Sequence, residues 1–222
     1  MVRTGYLFDL DGTLYSRDEL VWNLLSAQYD TFSVELGHVD KSLYIDKVVL
    51  LDAHGYENKE EVYSAVGKEF QLSNELERRL IEHFWACYDD YCHVPEDTLT
   101  TLATLKTRGK RMGVVTNGLT LRQNKKIDAL GVRDYFSAII ISEQEGIKKP
   151  HPEIFARAAA RIDCAPEECV FVGDHPVADI DGARAVGMAA VWKRVSYWDM
   201  LRDDVEVVDR LSDILIMDED GF

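Results

Sequence analysis

Apolar residues follow two rhythms along this chain. From residue 16 to about His93 they recur at steps of three and four. The sets are Val21, Leu25, Tyr29, Phe32 and Leu36; Tyr44, Val48 and Leu51; Val62, Val66 and Phe70; and Leu76, Leu80, Phe84 and Tyr88. Such spacing gathers each set on one helical face. Ser16-Arg17-Asp18-Glu19 carries the polar and acidic residues of a helix start. Gly37, Gly55 and Ser73-Asn74 are turn signals. The block predicts helices and no strand.

Outside it, short continuous apolar runs alternate with helical patterns. Tyr6-Leu7-Phe8, Met112-Gly113-Val114-Val115, Ala138-Ile139-Ile140-Ile141, Cys169-Val170-Phe171-Val172-Gly173, Ala189-Ala190-Val191-Trp192 and Val205-Glu206-Val207-Val208 read as strands. Between them, Leu99/Leu102/Leu105, Leu121/Ile127/Leu130, Ile154/Phe155/Ala158/Ile162 and Ile180/Ala183/Val186 mark helices. Strands alternating with helices imply a mostly parallel sheet covered on both faces. The expected class is α/β: a three-layer, Rossmann-like parallel-sheet core with an inserted all-helical domain. Residues 1–15 and 94–222 would form the core, and 16–93 the insertion. No internal repeat interrupts this plan, and the acidic Asp218-Glu219-Asp220 tail reads as a solvated end.

Composition narrows the partners. The 222 residues are 46% hydrophobic and 29% charged, an ordinary globular balance, with a formal net charge of −15. That charge disfavours nucleic acid polymers and anionic membranes as partners. It also means that an anionic ligand would need a local cation to attract it. Cys87, Cys92, Cys164 and Cys169 form two C-x4-C pairs, wider than common zinc spacing, and read as buried reduced thiols. The first apolar run is short and ends in Asp9, unlike a secretory leader, and no stretch has the length of a membrane span. The expected location is cytoplasmic.

The chemistry-bearing residues fall where the runs end. Asp9 and Asp11 follow the first strand, and side chains two apart point the same way. Thr116-Asn117 follow the second strand, Lys149 lies in the loop after the third, and Asp174 and Asp179 follow the fourth. In a parallel sheet those ends share one edge, where ligands bind. Several carboxylates with no clear His or Cys companion suit a hard cation such as Mg²⁺. A cation, a lysine and backbone N–H groups together can hold a phosphoryl group. His151 and His175 flank this set and read as neutral side chains, either just behind the ligating groups or at the surface, rather than as a second metal centre. Trp22, Tyr44, Trp85 and Tyr88 sit at helical spacing and read as core of the helical block.

Asp9-Leu10-Asp11-Gly12-Thr13, Thr116-Asn117-Gly118, Gly146-Ile147-Lys148-Lys149-Pro150 and Gly173-Asp174-(x4)-Asp179 resemble, in order, the four motifs of the haloacid dehalogenase-like (HAD) hydrolases. The resemblance extends to Pro152-Glu153-Ile154-Phe155 and Asp181-Gly182-Ala183, and spans nearly the whole chain. It implies that residues 16–93 form a helical cap and that the activity is Mg²⁺-dependent hydrolysis of a small phosphomonoester, such as a nucleoside monophosphate or sugar phosphate. The protein would act as a monomer or homodimer.

The resemblance further implies roles. Asp9 would be the nucleophile that forms an aspartyl-phosphate, a reaction open to a carboxylate. Asp11 would protonate the leaving alkoxide and then take a proton from water, which calls for a carboxyl pKa raised toward neutrality. Asp11 and Gly12 would also adjoin the phosphate. Thr116, Asn117 and Lys149 would hold it. Asp9, the Asp11 backbone carbonyl and Asp174 would bind the metal, with Asp179 orienting its water ligands.

Three alternatives remain. A 2-haloacid dehalogenase attacks carbon without Mg²⁺ and typically lacks the second aspartate, which Asp11 and Asp174 speak against. A phosphomutase would pass phosphate between sugar positions. A non-catalytic phosphate-binding relative would usually have lost the nucleophile, acid/base residue or lysine, none of which is missing here. Because the family lysine directly precedes proline, Lys149→Ala is expected to abolish turnover and Lys148→Ala to spare it. Steady-state rates of the two variants check this, and the opposite result moves the motif by one residue.

Overall fold

The computed structural model describes residues 3–198 and 203–220. It divides into two compact units, Met1–Ser16 with His93–Phe222, and Arg17–Cys92.

The first unit is built on six parallel strands: β1 (Gly5–Phe8), β2 (Arg111–Thr116), β3 (Ala138–Ile141), β4 (Cys169–Gly173), β5 (Ala189–Lys193) and β6 (Glu206–Val208). Each overlaps an apolar run read from the sequence. β1 and β4 are buried along their whole lengths, as a sheet covered on both faces requires. Alternation along β1 sends Leu7 into a cluster with Val115, Ile140, Ile154, Phe155 and Phe171. Tyr6 and Phe8 stack on each other, and Phe8 meets Phe136. The α/β class expected from the sequence is therefore the observed one.

Strand order is β3-β2-β1-β4-β5-β6. The chain builds outward from β1 to β3, returns beside β1 as β4, and builds outward again. The switch point lies between β1 and β4, the place where doubly wound sheets bind ligands at the C-terminal ends of their strands. Phe8 is in register with Val114 and Val172, so the residues just beyond β1, β2 and β4 emerge side by side.

The Arg17–Cys92 unit is helical, as expected: Arg17–Thr31, Ser33–Leu36, Lys41–Asp52, Lys59–Phe70 and Asn74–Cys87 are its α-helices. Asp40, Asn58 and Ser73 each accept a bond from a backbone N–H of the helix that follows, which places those starts. Its core is not purely apolar. Gln28 accepts from the hydroxyls of Tyr44 and Tyr63, each at 2.7 Å, and donates to the Leu80 carbonyl at 2.8 Å. Asp52 is buried between Arg17, at 2.8 Å, and Lys59. Tyr44 and Tyr88 are buried as read, whereas Trp22 is exposed and does not belong to the core.

Two other expectations are corrected. Cys87 is half-buried rather than buried, while the other three thiols are buried. The acidic tail is not a loose solvated end. Residues Ile214–Asp220 form a helix, and Asp218 accepts from Tyr6 Oη at 2.7 Å, Lys110 Nζ at 2.5 Å and Arg108 Nη1 at 3.1 Å. Burial pushes the Asp218 carboxyl up, but these partners more than reverse it and hold it below the ordinary carboxylate range. A depressed folded pKa adds stability that is complete above the unfolded value of about 4 and is lost as pH falls through the lower folded value. Asp218→Asn is expected to lower stability at neutral pH and to flatten its decline below about pH 4, measured by urea denaturation across that range.

Candidate active site

Asp9 stands immediately beyond β1, and its N–H donates to the Val172 carbonyl of β4 at 2.9 Å. Asp174 follows β4, and Asp179 lies one turn on in the segment Pro176–Asp181. All three are buried, and one carboxylate oxygen from each lies within 4.8 Å of the others. Lys149 is also buried and pairs with both Asp9 and Asp179 Oδ1, the latter at 2.7 Å; Lys148 is exposed.

The charges do not balance. Burial raises the Asp9 carboxyl well above its usual range; Lys149 opposes this, and Asp179 and Asp174 add to it. Burial and Asp179 push Asp174 up to about 7, against a hydrogen bond from Tyr197 and the charge of Lys149. Burial would lower Lys149, but Asp179 and Asp9 hold it above its ordinary value. One ammonium faces three carboxylates, so the cluster needs a proton or a cation. The all-oxygen donor set fits a hard cation. Asp179 Oδ1 adds to that fit, since it makes no hydrogen bond beyond the ion contact with Lys149.

Backbone geometry permits this crowding. Gly12 has φ +87°, and a Cβ there would come 2.6 Å from Asp174 Oδ2 and 3.0 Å from Tyr197 Oη. At Gly173, a Cβ would overlap the Asp179 side chain at 2.4 Å or slightly more. Asp179 Oδ2 also accepts the His175 N–H at 3.0 Å.

Asp11 departs from expectation. Its carboxylate lies outside the three-oxygen cluster and turns to the helix Thr120–Ala129. Lys126 Nζ meets Oδ1 at 2.7 Å, Gln123 Nε2 meets Oδ2 at 2.9 Å, and Tyr15 Oη also donates to Oδ1. Burial raises its pKa, but Lys126, Gln123 and Tyr15 lower it more, to about 2. The predicted rise toward neutrality is thus overturned, because the side chain meets a cation and donors rather than its like-charged neighbours.

Thr116, at the end of β2, is buried and accepts from Gln123 at 2.5 Å. The Asn117 side chain grips the Lys149 backbone from both sides, accepting its N–H at 2.9 Å and donating to its carbonyl at 3.1 Å. His151 and His175 turn out to cap the segments that follow them. His151 Nδ1 accepts from Glu153 N at 3.3 Å, and His175 Nδ1 accepts from Val177 N and Ala178 N at 3.2 and 3.1 Å.

The sequence reading passed over Gln123, Lys126, Tyr15, Tyr197 and Trp192. Tyr197 Oη donates to Asp174 Oδ2 at 2.7 Å, and Trp192 Nε1 to the Asp174 carbonyl at 2.6 Å. Gln123 did leave a signal. It stands four residues before Ile127 and seven before Leu130, a polar residue on an apolar stripe. Tyr15, Tyr197 and Trp192 left none.

The family described as haloacid dehalogenase-like hydrolase matches residues 4–187. The chain belongs to that family and is a hydrolase of the HAD class. A protein from Methanopyrus kandleri described as glyceraldehyde 3-phosphate phosphatase is 32% identical over 213 residues, spanning 91% of this chain and 90% of its own length. The crystal structure of a HAD phosphatase from Thermococcus onnurineus is 29% identical with a TM-score of 0.61, covering 92% of each chain. That of the HAD-hydrolase YfnB from Bacillus subtilis, bound to magnesium, has a TM-score of 0.76 and covers 99% of this chain and 100% of the other; at 21% identity it speaks for the fold.

Gly12→Ala would force a side chain against Asp174 in a left-handed conformation. It is expected to cost at least about 1 kcal/mol of stability, read from denaturant unfolding, and a neutral result would mean that the loop can relax.

Proposed function

We propose that this hydrolase is a Mg²⁺-dependent phosphatase for a small phosphomonoester, acting through an aspartyl-phosphate on Asp9. The observation that carries the reading is the cluster of Asp9, Asp174 and Asp179 around Lys149 at the sheet's switch point. Mg²⁺, held by Asp9, Asp174 and the Asp11 carbonyl with Asp179 beside them, would supply charge neutralisation for the phosphoryl oxygens. The helical unit Arg17–Cys92 is assigned the part of a substrate-selecting cap.

The chain's own groups divide the rest. Asp9 attacks phosphorus, and the ester P–O bond breaks toward the leaving oxygen. Lys149 offsets the charge of Asp9 and of the incoming phosphoryl group. The Thr116 hydroxyl and the Asn117 backbone N–H donate to phosphoryl oxygens, and Gly12 lets the backbone approach them. The Asn117 side chain meanwhile fixes the Lys149 backbone. Asp11 gives a proton to the leaving alkoxide, then takes one from the water that cleaves the Asp9–phosphate bond.

The surroundings of Asp11 favour its carboxylate, the form needed in the second half. A phosphate dianion arriving beside it opposes that preference and would load it with a proton for the first half. For the substrate, the likeness to a glyceraldehyde 3-phosphate phosphatase favours a short phosphorylated sugar over a nucleotide.

The test is phosphate release from triose, pentose and hexose phosphates and nucleoside monophosphates, with Mg²⁺ and with EDTA. The expected outcome is Mg²⁺-dependent release that is greatest with short sugar phosphates. Asp9→Asn should reduce it by at least about a thousandfold, as loss of a covalent nucleophile does. Full release in EDTA, or an active Asp9→Asn, would overturn the mechanism.

A further inference from the structure

We infer that Gln123 is a positioning residue of this site, its amide tying the Asp11 carboxylate to the Thr116 hydroxyl so that both are aimed at the phosphoryl group. The inference rests on the phosphatase reading above.

Gln123 lies within the helix Thr120–Ala129 and is buried, on the face that carries Ile127. A polar group in a core position is costly unless hydrogen-bonded. Here one nitrogen, Nε2, serves two acceptors, Asp11 Oδ2 at 2.9 Å and Thr116 Oγ1 at 2.5 Å. A primary amide carries two N–H groups, so both bonds form at once. The orientation of the amide is dictated by its neighbour. Turned over, Oε1 would face a carboxylate oxygen with no proton between them.

This arrangement decides what Thr116 does. A hydroxyl has one proton and two lone pairs. With Gln123 donating to Oγ1, the Thr116 proton is left for another acceptor, and a phosphoryl oxygen is such an acceptor. The same amide holds one edge of Asp11, while Lys126, three residues on in the same helix, holds the other at 2.7 Å. Rotation of the carboxylate is therefore restrained from both sides. The loop makes room for the amide as well. At Gly118, φ is +150°, and a Cβ there would come 3.0 Å from Gln123 Cγ and Cδ.

Gln123→Met keeps the volume and removes the amide. Its kcat for an alkyl phosphate is expected to fall about tenfold to a hundredfold, the scale of a misplaced catalytic group, with KM changed by less than about threefold. Gln123→Asn keeps the polarity but shortens the reach, and should show the same split; thermal melts establish that each variant is folded. The decisive readout is a double-mutant cycle with Asp11→Asn, using p-nitrophenyl phosphate, whose leaving group needs little protonation. If Gln123 acts through Asp11 and Thr116, adding Gln123→Met to Asp11→Asn costs less than it does in wild type, the remainder being the Thr116 arm, since residues that act as a unit are not additive. Folded Gln123 variants within about twofold of wild type, or losses that multiply fully in the Asp11→Asn background, would overturn the inference. Asp9→Asn separates the two levels. If it stays active the phosphatase mechanism itself is wrong, whereas if it is dead and Gln123→Met is not, only the positioning role falls.

Discussion

Crowding three carboxylates at the buried end of a sheet is the constraint around which the core unit is arranged. Asp9, Asp174 and Asp179 bring oxygens within 4.8 Å of one another, and a single ammonium, Lys149, stands among them. Like charges at that separation in a poorly solvated place are costly, so the cluster persists only where the surroundings hold it and a cation or proton relieves it. The surroundings are specific. Gly12 and Gly173 lack the side chains that would collide with Asp174 and Asp179, the His175 N–H binds Asp179, and Tyr197 and Trp192 tie down Asp174. Stability is given up locally and recovered from the apolar sheet beneath.

The same constraint separates two aspartates that look equivalent in the chain. Asp9 and Asp11 are two residues apart, yet burial and like charge raise one while Lys126, Gln123 and Tyr15 lower the other. The separation lies in the neighbours each carboxyl meets. Asp9 stays with the sheet end, and Asp11 faces the helix that follows β2.

The helical unit solves a different problem with related means. Its apolar stripes bring the helices together, but such stripes tolerate sliding and repacking. The Gln28–Tyr44–Tyr63 group and the Asp52 pairs with Arg17 and Lys59 leave buried polar atoms satisfied only in one arrangement. A polar core of this kind is suited to fixing one packing, a role attested for buried polar groups in some other helical assemblies.

Much of the architecture was legible in the order of residues. Fully buried strands appear as continuous apolar runs and amphipathic helices as stripes, because each pattern is local and driven by burial; this is why the six strands fall where the runs do. The candidate residues at strand ends were legible for the same reason, since a parallel sheet obliges those ends to share an edge. What lay beyond the sequence was every property set by a neighbour distant in the chain. The low pKa of Asp11 depends on Lys126, 115 residues away. Asp218 looks like a solvated tail until Tyr6, Arg108 and Lys110 are placed beside it. Tyr197 and the amide of Gln123 acquire meaning only through the oxygens they meet. Hydrophobic periodicity can be read one segment at a time, but hydrogen bonds and charge act over a few ångströms, and only the folded chain decides which groups come that close.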